Sequence, residues 1–166
     1  TTTRARRRRG CVRLGSMGSV EAIFLRPAAR LPVRSVDSAD AVSARGLDGD
    51  HTSGGKRQVT VLSLEAWRDA CAELGREVDP SVRRANILVA GLDLTNSIGR
   101  PLRVGGVVID VLGETRPCEL MDDDGRVGLD AALRKELRGG VFGSIRVGGP
   151  IRVGDLVELG DRSTGA

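Results

Sequence analysis

Tyrosine is absent from this 166-residue chain, and two phenylalanines and one tryptophan are its only aromatics. A surface that stacks nucleic-acid bases needs several such rings, so the composition argues against one. One histidine, His51, and three cysteines, Cys11, Cys71 and Cys118, offer no zinc-type ligand spacing and no evident disulfide framework. A reducing, cytoplasmic compartment is the simplest expectation. No apolar run approaches the roughly 20 residues that span a bilayer, so no membrane partner is expected.

What is present begins with arginine. The chain carries a net charge of +4, but Arg4, Arg6, Arg7, Arg8, Arg9 and Arg13 exceed that by themselves, and the remainder is net negative. Residues 1–17 are therefore expected to form a disordered basic leader or an appended tail. A nucleic-acid-associated module working through this segment is weighed and set aside, because the rest of the chain is acidic and aromatic-poor. A hydrophobic content of 40% predicts one folded domain over residues 18–160. A flexible tail is expected over 161–166.

Alternating apolar runs predict strands at 18–25, 59–62, 86–90, 102–104, 107–112, 142–147, 151–153 and 156–159. Gly105-Gly106 between two of them is a hairpin signal. Leu64, Trp67, Cys71 and Leu74 recur at helical spacing after a capping Ser63, with Gly75 as the stop. Cys71 and Trp67 on that stripe read as core. A second short helix is expected at 130–138. The glycine-rich stretch 45–56 is expected to be an exposed excursion. Many short strands with two or three short helices predict a mostly β, barrel-like fold.

Cys118 follows Pro117 at the end of an apolar strand, and Pro117 both fixes its own φ and pushes Arg116 towards an extended conformation. The thiol is thereby presented at a stiff strand end with an arginine nearby; the alternative is a small buried hydrophobe. Lys56 and Arg57 adjoin Gly54-Gly55, a pairing suited to an oxyanion or to a solvated hairpin loop. His51, in Asp48-Gly49-Asp50-His51, is placed either to meet an anion or to sit in a turn capped by its aspartates. Arg84 and Asn86 share one side of a strand entry. They are suited to a polar heterocycle and its phosphate, or to loop satisfaction and an Arg84–Asp93 pair. Arg138-Gly139-Gly140 repeats the cation-plus-glycine theme, or simply ends a helix.

In order, these pieces resemble the MOSC domain, the module similar to the C-terminal part of molybdenum cofactor sulfurases. The resemblance rests on Gly46–His51, Lys56–Leu62, Arg83–Ile87, Gly91–Leu94, Gly99–Gly105, Arg116–Glu119, Arg138–Val141 and Gly149–Asp155. It implies a β-barrel of the pyruvate-kinase barrel-like type and a site for molybdenum cofactor (molybdopterin) or carried sulfur centred on Cys118. Family-level association with pyridoxal phosphate comes with it. Larger relatives reduce N-hydroxylated compounds, which implies oxidoreductase chemistry with Cys118 as metal ligand. The other implied function is a sulfur carrier holding a persulfide on Cys118. On this reading Lys56, Arg57 and Arg84 neutralise the cofactor phosphate and Asn86 meets the pterin edge. Arg138 and Gly139 complete the cradle, and His51 orients the substrate. The implied partner is an external electron-transfer protein or a cysteine desulfurase.

Overall fold

The computed structural model describes residues 16–162, so the expectations for the arginine-rich segment 1–15 and for Cys11 lie outside the described residues. Eleven strands run in chain order. They are β1 (Met17–Leu25), β2 (Arg34–Val36), β3 (Ser38–Val42), β4 (Gly46–Leu47), β5 (Val59–Ser63) and β6 (Ile87–Ala90), then β7 (Pro101–Val104), β8 (Val107–Glu114), β9 (Val141–Val147), β10 (Gly149–Arg152) and β11 (Leu156–Leu159). Seven close into a barrel in the order β1–β11–β7–β8–β9–β5–β6 and back to β1. All neighbours are antiparallel except β5 and β6, whose parallel pairing needs a crossover; helix α1 (Leu64–Leu74) supplies it. Strand β2 extends the far half of β1, and β10, β3 and β4 form a small separate sheet. The expected mostly β barrel is what the chain forms.

Strands β5 and β6 are buried on both faces, as a sheet covered by helices must be. Val59, Val61, Ile87 and Val89 point into the barrel core. Leu62 and Leu88 alternate outwards into a second core with Trp67, Leu129 and Leu133 beneath α1 and α2 (Leu129–Leu133). Ser63 caps α1 by accepting from the Ala66 N–H at 3.2 Å, and Gly75 ends it in the left-handed region. Cys71 is buried in the second core, as its place on the stripe predicts.

Two expectations are corrected. The helix predicted at 130–138 stops at Leu133 because Glu136 and Leu137 adopt positive φ. That turn redirects Leu137 away from the helical layer and packs it against the barrel core. The stretch 45–56 is not wholly an exposed excursion, since Gly46 and Leu47 are buried as β4, paired with β3.

Gly140 sits at φ +96°, and a Cβ there would lie 2.5 Å from the Val61 carbonyl oxygen. Its carbonyl also accepts from the Thr115 N–H at 2.9 Å, joining the segments before β9 and after β8. Gly140→Ala is expected to cost on the order of 2 kcal/mol, lowering the melting temperature by roughly 5 °C in a thermal denaturation scan.

Candidate functional site

Loops that follow β1 and β8 and precede β5, β6 and β9 surround a cavity of about 1100 Å³. Thr60 lines it from β5, on the strand face that Leu62 also uses to meet the helices. The site is thus an open extension of the outer layer, outside the barrel interior. Cys118 lies on its wall, free and exposed, at the start of a 3₁₀ turn whose first N–H groups it does not cap. Pro117 behind it is buried, so the thiol is held outwards on an anchored backbone.

Arginine dominates the remaining wall. Arg26 and Arg30 come from the loop after β1, and Arg57 from the residues before β5. Arg83 and Arg84 come from the 3₁₀ turn before β6, while Arg116 and Arg126 flank Cys118. Arg83 donates through Nε to the Gly139 carbonyl at 2.9 Å and through Nη2 to the Thr115 carbonyl at 2.8 Å. It therefore clamps the Cys118 loop to the segment before β9. Burial, then the neighbouring Arg57 charge, pull Arg83 down to about 10, well below the ordinary arginine value, while Cys118 and Asp130 act in the opposite direction. That corresponds to a penalty of roughly 3 kcal/mol on the charged form. Arg84 holds a left-handed backbone (φ 62°) and donates to the carbonyls of Leu31 and Ala28. Burial and the Arg26 charge lower it, against the opposing pull of Asp50. Arg57 is lowered by burial and by Arg26, and its guanidinium lies 5.6 Å over the Phe142 ring. One of the two phenylalanines therefore serves as a platform for a site arginine.

Arg26 is the one of these arginines with a buried carboxylate partner. Its Nη2 donates to Asp50 Oδ2 at 2.9 Å, and the Asp50 side chain is inaccessible to solvent. Burial pushes the Asp50 carboxyl up, but hydrogen bonds from Arg26 and its charge outweigh that and hold it below 3.8. A carboxylate lowered in this way stabilises the fold at neutral pH and loses that contribution as pH falls through its lowered value. Asp50→Asn is expected to cost about 2–4 kcal/mol at pH 7. The melting-temperature gap to the parent chain should narrow below about pH 4; a gap that stays constant there would contradict this account.

The predicted site residues separate into two groups. Cys118, His51, Arg57, Arg84 and Gly139 all line the cavity. His51 Nδ1 lies 3.1 Å from the Arg26 carbonyl oxygen, so it carries the proton and leaves Nε2 unengaged. Lys56 is exposed and does not line the cavity. Asn86 is fully buried, accepting from the Thr60 N–H at 3.1 Å and donating to the Phe24 carbonyl at 3.1 Å. It organises the strands and Asp50, to which it also donates at 3.2 Å, and is too occupied to read a heterocycle. Arg138 turns to Glu73 and lines a different hollow of about 440 Å³, together with Asp69, Asp93 and Glu136. The alternative Arg84–Asp93 pair does not form: Asp93 lines the second hollow and accepts from Thr95, while Arg84 lines the main cavity.

Arg26, Asp50, Arg83 and Thr115 were not among the residues predicted for the site. Arg83 stood beside Arg84 in the motif already singled out, but nothing local says that both turn inwards. Thr115 is 8% exposed, lines the cavity, and its Oγ1 is the one buried side-chain oxygen or nitrogen among the described residues without a hydrogen-bond partner. Among the described residues no three His, Cys, Asp or Glu side chains are grouped to hold a metal ion. No helix there is long and apolar enough to cross a membrane.

The family model of the MOSC domain matches residues 48–158. Among solved structures, the YuaD protein from Bacillus subtilis is similar with a TM-score of 0.71 at 20% identity, covering 86% of this chain and 95% of that one. YiiM from Escherichia coli is similar with a TM-score of 0.66 at 19% identity, covering 89% and 72%. YiiM from Geobacillus stearothermophilus gives 0.69 at 16% identity, covering 90% and 78%. At these identities the likeness is one of fold. No curated protein matches the chain significantly.

Proposed function

The chain belongs to the MOSC domain family, and from that premise we propose that it binds a molybdopterin-type cofactor in the Cys118 cavity and serves as an oxidoreductase component. One observation carries this reading: an exposed thiol shares a single cavity with several arginines that have no carboxylate partner among the described residues. A lone thiolate without other ligating side chains suits a soft metal that brings its own sulfur ligands. Guanidiniums without counter-charges suit a cofactor phosphate. The orphaned Thr115 hydroxyl is a further polar group awaiting a partner. When bound, the cofactor supplies a molybdenum centre for two-electron oxidation or reduction of a substrate.

The chain's own residues bind and orient. Arg57 and Arg84 meet the phosphate, with Arg26 fixed beside them by Asp50. Gly139 lets its backbone pack closely against the Cys118 loop: a Cβ there would lie 2.8 Å from the Thr115 carbonyl oxygen. His51, at the cavity wall with Nδ1 bound to the Arg26 carbonyl, keeps Nε2 available to a ligand. Electrons come from a separate transfer protein in a reducing compartment. The test is metal and pterin analysis of the full chain purified from a cofactor-competent host. Stoichiometric molybdenum and pterin are expected, and both should fall sharply in an Arg57→Gln, Arg84→Gln double variant. Cofactor-free protein from such a host would overturn the reading.

The exposed, uncapped Cys118 thiol also favours a second reading, a sulfur carrier loaded by a cysteine desulfurase. Mass spectrometry after incubation with desulfurase and cysteine would then show a gain of about 32 Da that Cys118→Ser abolishes. Intact cofactor binding without that gain would remove this reading.

A further inference from the structure

We propose that the cavity contains a second oxyanion subsite, formed by Arg83, Arg116 and Thr115 beside Cys118, and that the substrate therefore carries a carboxylate or phosphate group. Calling that ligand a substrate rests on the cofactor reading above; the subsite itself does not.

The cavity holds more positive charge than one cofactor phosphate neutralises. Arg26 is met by Asp50, and Arg126 by Asp124 at 3.4 Å. Arg30, Arg57, Arg83, Arg84 and Arg116 line the same cavity with no carboxylate at ion-pair distance among the described residues. Arg83 and Arg84 spend their N–H groups on carbonyl oxygens, which orient the guanidiniums without cancelling their charge. A phosphate monoester brings at most about two negative charges.

The cations are also spread along the cavity. They come from four segments of the wall: the loop after β1, the residues before β5, those before β6 and the Cys118 loop. A cavity of about 1100 Å³ lies at the upper end of the range for small-molecule sites and has room for two ligands. At the Cys118 end, Thr115 adds a buried, unpartnered hydroxyl directly beside Arg116 in sequence. A buried hydroxyl without a partner, an Arg83 guanidinium immobilised on that residue's own carbonyl and an exposed Arg116 next in sequence are together suited to a planar or tetrahedral oxyanion.

The experiment is calorimetric titration of the full chain with inorganic phosphate at fixed ionic strength, with and without bound cofactor. The cofactor-loaded protein is expected still to bind phosphate, and Arg116→Gln to weaken that binding roughly tenfold. Thr115→Val should weaken it severalfold, whereas Arg103→Gln, exposed and outside the cavity, should leave it unchanged. Arg116 is exposed, so its replacement tests the site without threatening the fold. Titrating acetate and a phosphate monoester alongside identifies the favoured anion class. A loaded protein that binds none of the three anions overturns the proposal while leaving the cofactor reading intact. Phosphate binding insensitive to both Arg116→Gln and Thr115→Val is an adventitious ion only and overturns it as well. If the chain takes up no cofactor, the cofactor reading fails; an Arg116-dependent phosphate on the unloaded chain then still supports the subsite.

Discussion

On the proposed cofactor reading, Cys118→Ser is expected to reduce turnover by at least about 100-fold, with the fold intact. Serine is nearly isosteric, but its hydroxyl stays protonated at neutral pH and is a hard ligand where a soft metal prefers thiolate. The thiol caps no helix end and is exposed, so its loss should move the melting temperature by only about 1 °C. Loss of activity without loss of stability separates a reacting sulfur from a packing one. Cys71→Ser is the contrasting control, because Cys71 is buried beneath α1 and its replacement should cost stability instead. Undiminished turnover in Cys118→Ser, measured on molybdenum-replete protein, would end the assignment of this residue as metal ligand.

Arg83→Leu should show the opposite combination, with both stability and anion binding reduced. The substitution leaves the Thr115 and Gly139 carbonyls without their donor, at about 1–3 kcal/mol each. It also relieves the roughly 3 kcal/mol that burial imposes on the charge. The two carbonyls together cost about 2–6 kcal/mol, and the midpoint of that range less the relief leaves a net loss of about 1 kcal/mol, to be read in chemical denaturation. The more decisive reading comes from added phosphate at pH 7. An anion in the cavity offsets the burial of the Arg83 charge, so phosphate should raise the melting temperature of the parent chain far more than that of Arg83→Leu. Equal shifts in both would show that the clamp is purely structural.

How much of this was legible beforehand depended on whether the information was local. Ser63, the Leu64–Trp67–Cys71–Leu74 stripe and Gly75 specify α1 through cap chemistry and a 3.6-residue period, and α1 forms as they dictate. The second helix failed the same reasoning because Leu137 had two cores within reach. Packing against the barrel won, at the expense of two left-handed residues. Likewise β4 was hidden by its glycines, since its burial comes from pairing with β3 and not from an apolar run.

The sequence by itself determined the strand-rich barrel, the helix that follows β5 and a cysteine behind a fixed proline. Each follows from period, turn chemistry or backbone restriction within a few residues. The outward facing of that thiol and the crossover role of the helix came from the structure. Tertiary structure alone decided which cations accompany that thiol. Arg57 and Arg84 reach the cavity, Arg138 is drawn off by Glu73, Asn86 is consumed by Thr60 and Asp50, and Arg83 and Arg26 enter unannounced. A guanidinium sits at the end of a long flexible stem, so its position is set by whichever carbonyl or carboxylate a distant loop brings within reach. Barrel closure of β1 on β11, across almost the whole described chain, is what brings those loops into place.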